Sequence, residues 1–213
     1  MGCFGVGCIT VLIAGFFFFL VVIGCAWYVC WEAADKLTSP QRVDLKVVRP
    51  DQAQIDAAEG SLTRLRNAVS KNEETIVGFT AADLNAIIDQ KEDFEDIRDR
   101  VRFEIANSIM TVKVSAPLGE IRWKKVQERW LNAVASVTFD YSPSGFDIDI
   151  QRLEMNGHEI SDSFLSMISS WVSEGFTSHF QDEVRKENLD EFWAHVKSMS
   201  VEDDKVVVTT KKD

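Results

Sequence analysis

The chain has 213 residues with 34 acidic against 23 basic side chains, a net charge of −11 and a pI near 4.8. A field of that sign repels polyanions, so nucleic-acid binding is disfavoured from the outset. All four cysteines (Cys3, Cys8, Cys25, Cys30) fall in the first 30 residues, so the remainder needs neither disulfides nor thiolate chemistry.

Residues 2–31, from Gly2 to Trp31, carry no charged side chain. The 23 residues from Ile9 to Trp31 include 13 Phe, Leu, Ile or Val. As a helix they would span about 34 Å, enough for a hydrocarbon core of roughly 30 Å. Trp27, Tyr28 and Trp31 gather at the C-terminal edge, where amphipathic rings prefer the headgroup zone. We therefore expect residues 1–31 to be a transmembrane anchor, with residues 9–31 in contact with the lipid bilayer. Val22-Ile23-Gly24-Cys25 has the form of a lipoprotein cleavage site, but no Lys or Arg precedes it and apolar sequence continues beyond Cys25. Met1-Gly2-Cys3 has Val6 where an acylation signal wants Ser or Thr. Lys36, Arg42, Lys46 and Arg49 follow the apolar run, and counted alone they place the domain in the cytoplasm, although Glu32, Asp35, Asp44 and Asp51 lie among them.

Residues 32–50 read as a juxtamembrane stalk or first strand, since Val43, Leu45 and Val47 alternate between Ser39-Pro40 and Arg49-Pro50. Residues 51–213 read as one soluble α+β domain. Asp51 caps a helix to about Val69, with Ile55, Leu62, Leu65 and Val69 on one face. A short strand at Thr75–Phe79 precedes a capping box, Thr80-Ala81-Ala82-Asp83, that opens a helix to about Gln90.

Two hairpins follow. A two-residue loop at Asn107-Ser108 pairs Ile105 with Met110, Phe103 with Val112 and Val101 with Val114. A four-residue loop at Ser142–Gly145 pairs Tyr141 with Phe146, Phe139 with Ile148 and Val137 with Ile150. A slip of one residue would turn every apolar side chain to water, so both registers are strongly specified. The alternation changes phase at Leu153 and Met155, which predicts a bulge near Gln151-Arg152. After an Asn156-Gly157 turn, a helix from about Asp162 to Lys186 carries Phe164, Leu165, Ile168, Trp171, Val172, Phe176, Phe180 and Val184 on one stripe. A second short helix is expected over Leu189–Met199 with Phe192, Trp193 and Val196, and a last strand over Lys205–Thr209. The expected architecture is a curved antiparallel sheet packed on a long amphipathic helix. Ala133 and Ala135 face inward, leaving room for a helix or for a bound apolar ligand.

The run Phe79-Thr80-Ala81-Ala82-Asp83-Leu84-Asn85, the hairpin after it, Trp130-Leu131-Asn132 and the closing Ser200–Val208 segment resemble, in order, the YpmS-like single-pass bacterial membrane proteins. More distantly the pattern is similar to tubular lipid-binding domains, in which a curved sheet wraps a long helix around an apolar channel. The resemblance implies an extracytoplasmic domain, against the count of positive charges, and a lipid or other apolar ligand. It transfers no functional residue.

No catalytic or metal-binding motif is present. His158, His179 and His195 share no ligand spacing, and neither a nucleophile elbow nor a phosphate-binding glycine loop occurs. The hairpin register sets Asp140 opposite Asp147, with Asp149 two residues on, a group that either binds a cation or is three solvated carboxylates. Arg122-Trp123-Lys124-Lys125, continuing to Arg129-Trp130, is the one dense basic stretch and either docks on anionic headgroups or is a solvated connection. Asn85 and Asn132 are expected to be buried and bonded to backbone. The sequence thus favours a membrane-anchored, non-enzymatic envelope protein whose domain binds a lipid or other apolar ligand, with no cofactor. The alternative is an envelope scaffold or assembly partner with a fully packed core, and an enzyme ranks third.

Overall fold

The computed structural model describes residues 34–46, 48–119, 126–186 and 189–212. The predicted anchor lies outside them, and no described helix is long and apolar enough to cross a membrane. After a single helical turn, α1 (Ala34–Leu37), helix α2 (Gln52–Ser70) begins at Asp51. The Asp51 carboxylate accepts from the Gln54 amide at 2.8 Å, and the Gln54 side chain accepts from the Asp51 amide at 3.0 Å. Two donors that a helix N-terminus leaves open are satisfied at once. Strand β1 (Ile76–Thr80) passes into α3 (Ala81–Gln90) through the expected box, with Thr80 Oγ1 accepting from Asp83 N–H at 3.1 Å and the Asp83 carboxylate accepting from Thr80 N–H at 2.8 Å.

The remaining elements are β2 (Val101–Ala106), β3 (Ile109–Pro117), β4 (Trp130–Ser142), β5 (Gly145–Met155), β6 (His158–Glu159), α4 (Asp162–Lys186), α5 (Asp190–Ala194), β7 (Val196–Glu202) and β8 (Lys205–Thr210). Both predicted hairpin registers are found pair for pair. Asn107 and Ser108 take φ of 53° and 60°, the turn that suits the twist of two-residue hairpins. Ser136 pairs with Arg152 but Val137 with Ile150, so Gln151 is the extra residue of the expected bulge.

One expected element is corrected. The helix assigned to Leu189–Met199 stops at Ala194, and Val196–Glu202 pairs with Lys205–Thr210 as a third hairpin. The register shifts between Val196 and Ser198, which puts Val196 and Met199 on one buried face. Together with Phe192 and Trp193, that spacing mimics a helix.

The sheet is antiparallel, with the order β1-β8-β7-β4-β3-β2 and with β5 and β6 continuing beyond β4. One edge of β4 serves two hairpins. Strand β3 pairs with it over Trp130–Val137, and β7 takes over at Asp140 and Tyr141. The hairpin tips meet there: Ser108 N–H donates to the Asp203 carbonyl at 2.8 Å and Asp203 N–H to Ser108 Oγ at 2.9 Å. Helix α3 touches both β1 and β2, so the sheet curls toward a barrel with a helix between its edges.

Helices also close the edges that strands leave open. The amides of Phe146, Ile148 and Ile150 on β5 donate to Thr177 Oγ1 (3.0 Å), Ser173 Oγ (2.9 Å) and Ser169 Oγ (3.0 Å), hydroxyls one helical turn apart on α4. Farther along, β6 and the Ile160 amide cover Leu153–Met155. Asn85 on α3 does the same for β2, accepting from Phe103 N–H at 3.0 Å and donating to its carbonyl at 2.9 Å. An unpaired edge is a template for aggregation, and polar helix side chains remove it without another strand. Each lost bond is worth about 1 kcal/mol. The triple variant Ser169→Ala/Ser173→Ala/Thr177→Ala is therefore expected to lose roughly 3 kcal/mol in urea unfolding and to aggregate during refolding.

On α4, Leu165, Ile168, Val172, Phe176, Phe180 and Val184 are buried as predicted, but Trp171 is 50% exposed. At 100° per residue, Trp171 falls outside the arc that Val172, Phe176 and Phe180 share. Ala133 and Ala135 face the core at 4% and 1% exposure, and Val112, Leu153, Met155 and Ile168 at 0–2%. A channel wide enough for water would register as accessible surface on these side chains. Both alanines belong to one buried cluster with these residues, which leaves no water-accessible channel along these described side chains.

Candidate functional site

The buried layer shifts attention to the ends of the sheet. Strand β4 runs from a pole at Trp130, where the stalk enters, to a pole at Ser142, where the β4–β5 turn meets the last turns of α4 and α5. At the second pole a cleft of about 340 Å³ opens between Tyr141, Gly145, Phe180, Val184, Trp193 and neighbouring side chains. Its floor is aromatic: Phe180 lies 4.5 Å from Trp193, and Tyr141 lies 5.3 Å from Trp193 and 5.6 Å from Phe180, all edge-on. Edge-to-face contact is the favoured geometry for such rings. Gly145, at φ 132°, lets the turn approach α4, since a Cβ there would lie 2.7 Å from Thr177 Cγ2. Gln181, Arg185 and Asp190 supply the polar lining, and Arg185 also reaches Asp182 at 3.4 Å. The volume lies at the low end of ligand pockets. It suits a single short apolar chain or a ring and is small for a two-chain lipid. The buried Trp193 Nε1 has no hydrogen-bond partner.

At the first pole the stalk is bound down by side chains. Ser39 forms one antiparallel bridge with Trp130, and Val43 and Leu45 after it belong to no strand, while Val47 lies outside the described residues. Thr38, fully buried, is held by Arg129, which donates to its hydroxyl and, at 2.7 Å, to its carbonyl. Asn156 donates to the carbonyls of Lys36 and Thr38, both at 3.1 Å. Asn132 donates to the Gln41 carbonyl at 3.0 Å, and the Val43 amide donates to both Asn132 Oδ1 and Ser115 Oγ at 3.2 Å. Ser115 donates in turn to Asn132 at 2.7 Å. Two polar residues buried on the sheet thus find their partners in the stalk backbone. Asn132 and Asn85 both bond backbone, as expected, but only Asn132 is buried and Asn85 is half-buried; nothing in the local pattern marks the stalk as the partner of Asn132.

The other residues singled out by sequence do not converge. Asp140 does face Asp147, and with Asp149 both are exposed on the outer face. Among the described residues no group of three or more His, Cys, Asp or Glu is placed to hold a metal. His158 is exposed on β6, His179 is half-buried on α4, and His195 Nδ1 lies 2.8 Å from the Glu191 carbonyl, so the three are dispersed. Arg122, Trp123, Lys124 and Lys125 lie outside the described residues. Arg129 and Trp130, at the end of the same stretch, serve the stalk. No protein-family model matches the chain, and neither a curated protein nor a solved structure matches it.

Proposed function

We propose that this chain is a membrane-anchored, non-enzymatic envelope protein whose domain acts as a scaffold for an envelope partner. The single observation behind this reading is the stalk: from Lys36 onward it is bonded to the sheet, so the chain enters the domain at one fixed point. The buried layer around Ala133 and Ala135 favours a scaffold over a lipid carrier with an internal channel. The domain faces the extracytoplasmic side. This orientation follows the resemblance and overrides a short count of positive charges that carboxylates interrupt.

The aromatic cleft favours a second reading, in which the domain holds one small apolar ligand over Tyr141, Phe180 and Trp193. Two measurements separate them. Full-length protein extracted in mild detergent should retain one stoichiometric protein partner, and the domain from Glu32 onward should be ligand-free in native mass spectrometry. A domain that carries a bound apolar molecule and no partner reverses the order. A reporter fused after Asp213 should be active only outside the cytoplasm, and activity inside would overturn the orientation.

A further inference from the structure

We infer that the pole holding the stalk is a bilayer-facing surface that rests on anionic headgroups, and that the aromatic cleft is thereby held at the far end of the domain. This inference rests on the membrane-anchor reading above.

The chain length sets the distance. Thr38 is the seventh residue after Trp31, the last of the charge-free run, and it is fully buried in the domain. Seven residues reach at most about 25 Å when fully extended. The stalk pole therefore lies within that distance of the interface. The bonds from Arg129, Asn132, Asn156 and Ser115 stop the domain pivoting at this point, because swinging away would strip partners from buried polar groups.

The outward side of the stalk supplies the chemistry. Lys36, Arg42, Lys46 and Arg49 are exposed there, with Asp44 between them and Asp51 just beyond; Arg42 also lies over the Trp130 ring at 5.8 Å and donates to the Asp99 carbonyl. That basic stretch belongs to a chain of net charge −11. Among the described residues the exposed large hydrophobics are Val43, Val48, Ile76 and Trp171, and the two valines sit between these cations at 49% and 83% exposure. Cations attracted to anionic lipid, with apolar groups that enter the headgroup boundary, are the features of an interfacial segment. Helix α2 begins just after this stretch at Asp51, and its other end lies near Thr210 at the opposite pole. The stretch thus stays at the stalk end.

Strand β4 rises about 40 Å over its 13 residues. The cleft is consequently displaced by about that much from the lipid surface. Whatever occupies it arrives from the aqueous side and not from the bilayer that anchors the protein.

The test uses the full chain, with its four native cysteines changed to alanine, in phosphatidylcholine–phosphatidylglycerol vesicles carrying an acceptor dye on the lipid headgroups. A donor dye is placed at exposed Glu128→Cys beside the stalk, or at exposed Ser144→Cys in the β4–β5 turn. Energy transfer should be several-fold stronger from position 128 than from 144. Equal transfer from both overturns the orientation. Lys46→Glu/Arg49→Glu should weaken transfer from position 128 on these vesicles and leave it unchanged on phosphatidylcholine alone. Insensitivity to lipid charge overturns the headgroup contact. A protein that fails to float with vesicles disproves the anchor instead, and flotation reports this before any transfer is read.

Discussion

Replacing Arg102 by alanine is expected to destabilise the domain by about 3–5 kcal/mol, an effect matched only by loss of the Phe180 ring. Arg102 lies on β2 with its side chain 8% exposed, and it donates to Asp89 at 2.9 Å, where the aspartate side chain is 7% exposed. It also donates to the carbonyls of Arg98 and Val101. It thereby ties the end of α3 to the start of the β2–β3 hairpin. The pair is under-satisfied: Asp89 Oδ2, Arg102 Nε and the neighbouring Arg98 Nε are buried without partners. Truncating Arg102 leaves a carboxylate in a dry site with its main counter-charge gone. Replacing both members by apolar residues, as in Asp89→Leu/Arg102→Met, is expected to be neutral or stabilising, because the desolvation of both charges is then avoided. Urea unfolding of the two variants checks the contrast. A single variant within about 1 kcal/mol of the parent would disprove the burial of the pair.

The same site carries a pH signature. Burial pushes the Asp89 carboxyl above its ordinary value of 3.8, outweighing the downward pull of Arg102 and Arg98, while Asp99 adds to the rise. The folded protein therefore binds this proton more tightly than the unfolded chain does. The stability contributed by Asp89 is fully present below the unfolded value and is lost as pH rises through the elevated folded one. Other carboxylates titrate in the same range, so the measurable quantity is the difference between parent and Asp89→Asn. That difference should fall with rising pH above 3.8 and then become flat. A difference that rises over this window would mean that the guanidinium, and not burial, sets the carboxyl's affinity for its proton.

Local rules reached furthest where the signal was periodic and the loop short. Val101, Phe103 and Ile105 had one set of partners across a two-residue turn that kept every apolar side chain inward. Thr80 and Asp83 formed a box that needs only four consecutive residues. Failures came where two patterns overlapped. The register irregularity between Val196 and Ser198 placed Val196 and Met199 at a helical spacing, and a strand passed for the end of a helix. Trp171 entered the stripe because its spacing from Phe164 and Ile168 fits a seam that the later residues Val172, Phe176 and Phe180 rotate away from. The candidate sites were less legible still. Asn132 meets Gln41 and Val43 across about ninety positions of sequence, and the cleft joins a turn, two helix ends and a strand end. Such contacts depend on topology, which no local period encodes.

Phe180→Ala is the second large expectation, at about 3–5 kcal/mol. Its ring is 5% exposed and sits among Trp193 at 4.5 Å, Phe146 at 5.0 Å and Tyr141 at 5.6 Å. Each edge-to-face contact adds about 0.5–1.5 kcal/mol beyond area burial, and rigid neighbours cannot collapse to fill the space left by the ring. At roughly 2–4 °C per kcal/mol for a domain of this size, the melting temperature should drop by about 10 °C. Trp171→Ala is the matched control on the same helix. With half its surface in water, it should shift stability by no more than about 0.5 kcal/mol. Equal losses from the two would mean that α4 is rotated about its axis. A small loss from Phe180→Ala alone would mean that the far pole is loosely packed. Because the ring also floors the cleft, its removal enlarges the cavity while loosening its walls. A hydrophobic dye or short alkyl chain that binds the variant and restores its melting temperature would show that the vacated volume is apolar and dry, like other large-to-small core cavities. Failure of both probes, together with a normal melting temperature, would mean that Trp193 or Tyr141 had moved to fill the gap.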